Sequence, residues 1–160
     1  MTASTIRRFE PADASWVISR HAQLYAEEAG FDASFGAVVR DVVESFVANH
    51  DPACERGWIA ERGGQPKGSI FCCKTDACTA KLRLFLLEPE MRGHGLGARL
   101  LETCLGFARE AGYARLRLAT HESHLAACAL YARRGFTLLS ARPVRNYGQD
   151  LVEQSWEIAL

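Results

Sequence analysis

No stretch of this sequence is apolar for long enough to cross a bilayer, neither sign of charge is in excess, and no proline-rich or low-complexity linker divides it. The first absence means that the apolar residues, 48% of the total, must be buried in a core of the chain's own. The second, 19 basic against 19 acidic side chains, removes any global field that would draw in nucleic acid, an anionic membrane or a polyanion. The third makes residues 1–160 one domain, expected as a monomer or homodimer. Behind the basic pair Arg7-Arg8 there is no apolar run of the kind a secretion signal needs, so the expected location is cytoplasmic. The six cysteines include no C-x-x-C pair, and the adjacent Cys72 and Cys73 must point to opposite faces of a strand. Reduced thiols and no metal are expected, with Cys104 and Cys128 as small core residues on helix faces.

Familiar catalytic frames are missing too. No H-E-x-x-H frame surrounds His121-x-x-His124, and Ser123-His124 lacks a G-x-S-x-G elbow. The P-loop order of glycines followed by Gly-Lys-Ser or Thr does not occur. What does occur is Met91-Arg92-Gly93-His94-Gly95-Leu96-Gly97-Ala98-Arg99-Leu100-Leu101, three alternating glycines running into an apolar-periodic helix behind the extended segment 81–87. Glycine tolerates positive φ and has no side chain, so such a loop can point several backbone N–H groups, backed by the helix dipole, at one phosphate or pyrophosphate. The dinucleotide fingerprint fits poorly, because the third glycine comes one place early and the next strand ends Arg117-Leu118-Ala119-Thr120 without the acidic residue a ribose needs.

Arginine, two residues, glycine, one residue, glycine, preceded by Glu88-Pro89, resembles the acyl-coenzyme A loop of the GNAT acetyltransferases. Downstream, His124-Leu125-Ala126-Ala127-Cys128-Ala129-Leu130-Tyr131-Ala132-Arg133-Arg134-Gly135-Phe136 is similar to that family's late helix, with its tyrosine before a glycine-phenylalanine exit. Segments 79–84, 120–124 and 148–157 resemble more narrowly the acetyltransferase half of bacterial proteins that fuse a MarR-type helix-turn-helix repressor to this fold, with no repressor half in this sequence. The resemblance implies an α/β fold of the α+β three-layer kind, a mixed and mostly antiparallel sheet of about seven strands flanked by four helices.

The residues themselves place a strand at 6–9 and a helix entered at Pro11 and stopped by Gly30. A second helix, capped by Asp32 or Ser34, ends at Asp51-Pro52. Two strands meet at a Gly63-Gly64 turn, and a third, 80–87, carries Lys81, Arg83, Phe85 and Leu87 on one face. The glycine-loop helix ends at Gly112, the strand 114–119 follows, and Ser123 caps the Tyr131 helix. Strands 136–140 and 154–158 close the chain, separated by a loop over 141–150.

The resemblance further implies that acetyl-coenzyme A lies along a splayed strand at Phe85, Leu86 and Leu87. The N–H groups of Gly93, His94, Gly95, Leu96, Gly97 and Ala98 then hold its pyrophosphate, and Arg92 adds charge at the loop mouth. Tyr131 matches the position of the family's general acid, and a phenol with a reference pKa of ~10 can reprotonate a leaving thiolate. The base that deprotonates the amine does not carry over, since Ala119 stands where some members have glutamate and His124 where many have asparagine. Candidates are Glu122, His121, His124, Glu27 and Glu28. The acceptor wall falls to His21, Tyr25, Glu27, Glu28 and Phe31 with Arg145, Asn146 and Tyr147, where carboxylates beside an aromatic favour a cationic amine. Lys81 and Arg83 are placed to hold an acceptor's carboxylate, or else to pair with nearby acids. The activity implied is transfer of acetyl to a primary amine of a small molecule, amino acid or peptide, by direct attack, since no cysteine in the motifs sits beside a histidine or cation that would activate it. A coenzyme-A-binding regulatory module with little turnover is the alternative.

Overall fold

The computed structural model describes residues 3–160. Strand β1 (Ser4–Arg8) leads through a one-turn 3-10 helix, Pro11–Asp13, into α1 (Ala14–Ala29). The corner is locked by Asp13, whose carboxylate accepts from both Arg7 amino nitrogens at 2.8 Å and from the Glu10 N–H at 2.8 Å. Gly30, at φ 70°, ends α1, and Asp32 caps α2 (Ala33–Asn49) by accepting the Ser34 N–H at 3.0 Å. Then come β2 (Arg56–Arg62), β3 (Gln65–Lys74) and β4 (Thr79–Leu87), the helix α3 (Leu96–Glu110), β5 (Arg115–His121), α4 (Leu125–Arg134), β6 (Thr137–Asn146) and β7 (Gln149–Ala159).

All seven strands form one sheet in the order β1-β2-β3-β4-β5-β7-β6, antiparallel except where β4 meets β5. On one face α3 and α4 cover a core built from Ile70, Leu82, Leu100, Leu101, Leu105, Leu116 and Tyr131. On the other, α1 and α2 close over Val17, Val39, Val43, Phe46, Ile59 and Phe71. The three layers and four helices are those expected. Among the described residues no helix is long and apolar enough to cross a membrane. The six cysteines are free thiols, and Cys72 and Cys73 do divide between the two faces.

Three local expectations are corrected. The segment 141–150 is not a loop: β6 runs on to Asn146, and only Tyr147 and Gly148, at φ 56° and 76°, turn the chain into β7. As an edge strand exposed from Thr137 to Arg142 it has no buried face, hence no alternation to read in its sequence. Ser123 does not cap α4; His124 holds that position without a side-chain cap, because a backbone turn from the His124 N–H to the His121 carbonyl, 2.9 Å, starts the helix one residue later. Nor do Lys81, Arg83, Phe85 and Leu87 share a face. A bulge at Leu84, a non-glycine residue at φ 52°, resets the register between Phe71↔Arg83 and Ser69↔Leu86. Lys81, Arg83 and Leu84 therefore lie on the α1/α2 side, and Phe85 and Leu87 on the α3/α4 side.

Candidate active site

The parallel pair β4/β5 holds only at Thr79↔Arg115, Ala80↔Leu116 and Lys81↔Arg117, although β4 continues to Leu87 and β5 to His121. Beyond Lys81 the two strands part, leaving a wedge in mid-sheet whose β4 wall is the expected Phe85-Leu86-Leu87. Backbone groups on such a wall lack a ladder partner on that side and suit an extended ligand bearing amides. The Leu84 bulge at the wall is braced by the Ser69 hydroxyl, which donates to the Leu84 carbonyl at 2.7 Å.

At the mouth of the wedge the glycine loop leads into α3. Gly93 and Gly95 take φ 82° and 80°, and a Cβ built on either would meet no protein atom within 4 Å. Glycine takes positive φ without strain, so the loop that enters α3 can turn its N–H groups toward the open space ahead. Gly97, Leu87, Phe85 and Leu130 converge there, so α3, β4 and α4 meet at the coenzyme-binding candidates. Arg92 is not free at the mouth: its guanidinium grips the Glu28 carboxylate at 2.8 Å through each of two nitrogens and reaches the Leu87 carbonyl at 3.4 Å. The guanidinium holds Glu28 below the usual carboxylate range. Two predicted roles, phosphate charge and acceptor carboxylate, thus meet in one ion pair. Glu27 stays outside, accepting from Gln23 at 3.2 Å.

Tyr131 projects from α4 into the wall of the wedge, its ring 6.4 Å from Phe85, 5.5 Å from Phe136 and 6.3 Å from Trp156. Burial pushes its phenol above the ordinary tyrosine range, which keeps it protonated at neutral pH.

Across the wedge Tyr25, Phe31 and Tyr147 of the expected acceptor wall come together in a cluster of rings, while Arg145 is exposed and pairs with Asp150 at 3.2 Å. Tyr25 lies 5.5 Å from Phe31, 4.7 Å from Phe35 and 5.0 Å from His124. Tyr147, at the β6–β7 turn, lies 4.9 Å from both Phe31 and Phe35, edge-on to the latter, and the turn is tied down by the Asp32 N–H donating to the Tyr147 carbonyl at 3.0 Å. His121 closes the group at 5.7 Å from Phe31 and 5.5 Å from His124. Sequence reasoning missed Phe35, and it missed the Tyr147-Gly148 turn that brings β6 and β7 to this wall; the dipeptide itself was the available signal. Glu122 does not join the cluster. It is exposed and lines a separate groove with Leu125, Pro143 and Val152.

The histidines are electrostatically unusual. Burial first, then His121, pushes His124 down to about 4, and its Nε2 is buried without a hydrogen-bond partner. His21 is likewise pushed to about 4 by burial; its Nδ1 lies 2.7 Å from the Val17 carbonyl and its Nε2 has no partner. Both are neutral at pH 7, and Tyr25 is raised to about 12 by the same burial.

Residues 19–136 match the model of the Acetyltransferase (GNAT) family. The chain belongs to that family. Solved GNAT-fold neighbours include an acetyltransferase from Streptococcus agalactiae, 23% identical over 98% of both chains with a TM-score of 0.81. Another is yncA from Salmonella typhimurium, determined with its cofactor acetyl-CoA, 19% identical over 99% of this chain and 94% of that one, TM-score 0.81. Curated relatives include human N-acetyltransferase 8B, 36% identical over 49% of this chain and 37% of its own length. Mouse N-acetyltransferase 8F1 is 32% identical over 74% of this chain and 51% of its own. The chain spans about half or less of the length of these curated relatives.

For this GNAT chain the buried histidines set an acid sensitivity. A group whose folded pKa is depressed binds fewer protons folded than unfolded between the two values, so stability falls as pH drops from about 6.5 toward about 4. Each histidine is expected to remove about 1–2 kcal/mol by pH 5. His21→Phe, which keeps the ring that stacks on Tyr25, should flatten the trend by about half. Urea midpoints at pH 7.0 and 5.0 check this, and an unchanged difference in the variant would show that His21 does not titrate as its burial requires.

Proposed function

We propose that the protein transfers acetyl from acetyl-coenzyme A to a primary amine by direct attack within a ternary complex. The observation that carries this is the wedge between β4 and β5, with a positive-φ glycine cradle at its mouth and a buried, protonated tyrosine in its wall. The residues fit the coenzyme: the unpaired edge of Phe85, Leu86 and Leu87 suits pantetheine amides, and the N–H groups of Gly93 to Ala98 suit the pyrophosphate. When bound, the coenzyme supplies an activated acetyl thioester. The family membership and the acetyl-CoA of the yncA neighbour support that choice.

The chain's own groups divide the remaining work. Tyr131 holds a proton for the departing sulfur. Tyr25, Glu28 and Phe31 shape the side from which the amine enters. His124 is favoured over Glu122 and His121 as the group that relays the amine's proton, because its unpartnered Nε2 stands inside the ring cluster and is neutral at pH 7. The resemblance to the acetyltransferase half of MarR-type fusions keeps one rival in view, a coenzyme-binding regulatory module.

Thiol release from acetyl-coenzyme A separates the two. Release that depends on an added amine, across amino acids, polyamines, aminoglycosides and peptides with free N-termini, is the expected result. Tight coenzyme binding with no amine-dependent release would favour the regulatory module.

A further inference from the structure

The apolar core under α1 and α2 takes residues from α1, α2, β2 and β3, with Leu84 of β4 packed against it, and from none of β5, β6 or β7, which meet this layer at the ring cluster through His121 and Tyr147. What lies open beyond is a polar floor that cross-strand pairing defines residue by residue. Lys81 faces Cys73 on one side and Arg117 on the other. Arg117, Ala119 and His121 face Glu157, Ser155 and Glu153, and Glu153 faces Arg142. Two residues past the last β4/β5 pair, Arg83 stands level with Ala119 at the start of the wedge.

This floor is cationic although the chain is neutral. Its acids are already engaged: Glu157 with Arg117 at 2.6 Å and Arg115 at 3.7 Å, Glu153 with Arg142 at 3.1 Å. Glu55, the acid near Cys73, is held by the backbone N–H groups of Asp51 and Lys74 at 3.0 Å each. Lys81 and Arg83, both half-buried, take part in no ion pair among the described residues. Two like charges two residues apart on one strand face repel, and burial together with Arg83 lowers the Lys81 pKa. Such a pair is stabilised by an anion set between them. Beside them the cross-strand pair Ala119 and Ser155 is small, so no long side chain from β5 or β7 stands at that level of the floor.

We propose that Arg83 and Lys81 bind the anionic group of the acceptor, so that the substrate is an amine that also bears a carboxylate, an amino acid or short peptide, rather than a polyamine or other purely cationic amine. This rests on the acetyltransferase reading and names its substrate class. The amine end enters by Tyr25, Glu28 and His124, and the carboxylate lies along β4 toward the unpaired cations.

The test compares amino acids with their own carboxamides, which keep the side chain and the α-amine and remove the negative charge. The amide's amine is the less basic and so is more available at neutral pH; a preference for the acid therefore runs against intrinsic reactivity. A lower KM for the acid by about 10-fold or more is expected, the range of one charge-assisted contact. In Arg83→Gln and Lys81→Gln that ratio should shrink toward one, whereas a merely structural role would weaken both substrates alike and leave the ratio standing. Equal KM values in the native protein, or a ratio that survives both substitutions, would overturn the proposal while leaving amine acetylation intact. Calorimetry with coenzyme A bound reads the same site without turnover. The N-acetyl amino acid should bind about 10-fold more tightly than its N-acetyl carboxamide. No difference there sinks the anion site even in a protein that releases no thiol.

Discussion

Tyr131→Phe should lower kcat by about 10²-fold or more and leave coenzyme affinity within about 3-fold. The substitution removes one oxygen and keeps the ring that packs against Phe85, Phe136 and Trp156, so the wall of the wedge is preserved. What it removes is the proton that a departing thiolate needs. Without a donor the C–S bond must break toward an unprotonated sulfur, which is the kind of loss that positioned acids offset by 10²–10⁴-fold. Burial raises the Tyr131 pKa, so in the native protein the acid stays protonated through and beyond the range where an ordinary tyrosine, near ~10, would ionise. No alkaline fall in rate from ionisation of this group is therefore expected below that value. The measurements are saturating thiol-release rates and calorimetric coenzyme titration. An unchanged kcat would make Tyr131 a core aromatic and move the acid elsewhere.

The parts of this site that the sequence reveals are those carried by local chemistry. Gly93 and Gly95 announce a positive-φ cradle, Gly30 and Asp32 end one helix and start the next, and Gly63-Gly64 closes a hairpin, because each depends on a conformational preference within a few residues. What stays hidden depends on partners far along the chain. The Leu84 bulge is one: leucine carries no signal for φ 52°, which is held by the Ser69 hydroxyl 15 residues away. The bulge decides that Arg83 and Phe85 part company, so a strict period-2 reading put both on one face. The union of Phe35 and Tyr147 is another, since 112 residues separate them in the sequence and only sheet closure brings the rings to 4.9 Å. Charge pairing was least visible of all. Arg92 and Glu28 each suit a ligand, yet they hold one another, while Lys81 and Arg83, whose neighbouring acids are engaged by other arginines, take part in no ion pair among the described residues.

Those pairings bear on how the coenzyme loop is held, and Arg20 provides the second large effect. Glu88 is only 6% exposed and stands where β4 turns into the glycine loop; its carboxylate receives Arg20 Nε at 2.8 and 3.1 Å and an amino nitrogen at 2.5 Å. Together with Arg92 on Glu28, this fastens α1 to the loop at two points. Arg20→Ala leaves a buried carboxylate without its cation, a change that costs about 3 kcal/mol, or roughly 6–12 °C in Tm for a chain of this size. Adding Glu88→Gln should recover part of the loss, since the remaining group no longer carries charge; a double-mutant cycle with a coupling of about 2 kcal/mol or more is expected. The same release frees the loop that presents the Gly93 and Gly95 cradle, so coenzyme affinity should weaken in Arg20→Ala and improve again in the double variant. Thermal melts and coenzyme titrations on the four proteins decide the matter. A Tm within about 2 °C of native in Arg20→Ala, less than 1 kcal/mol, would show that water reaches Glu88 and that the bridge fastens nothing.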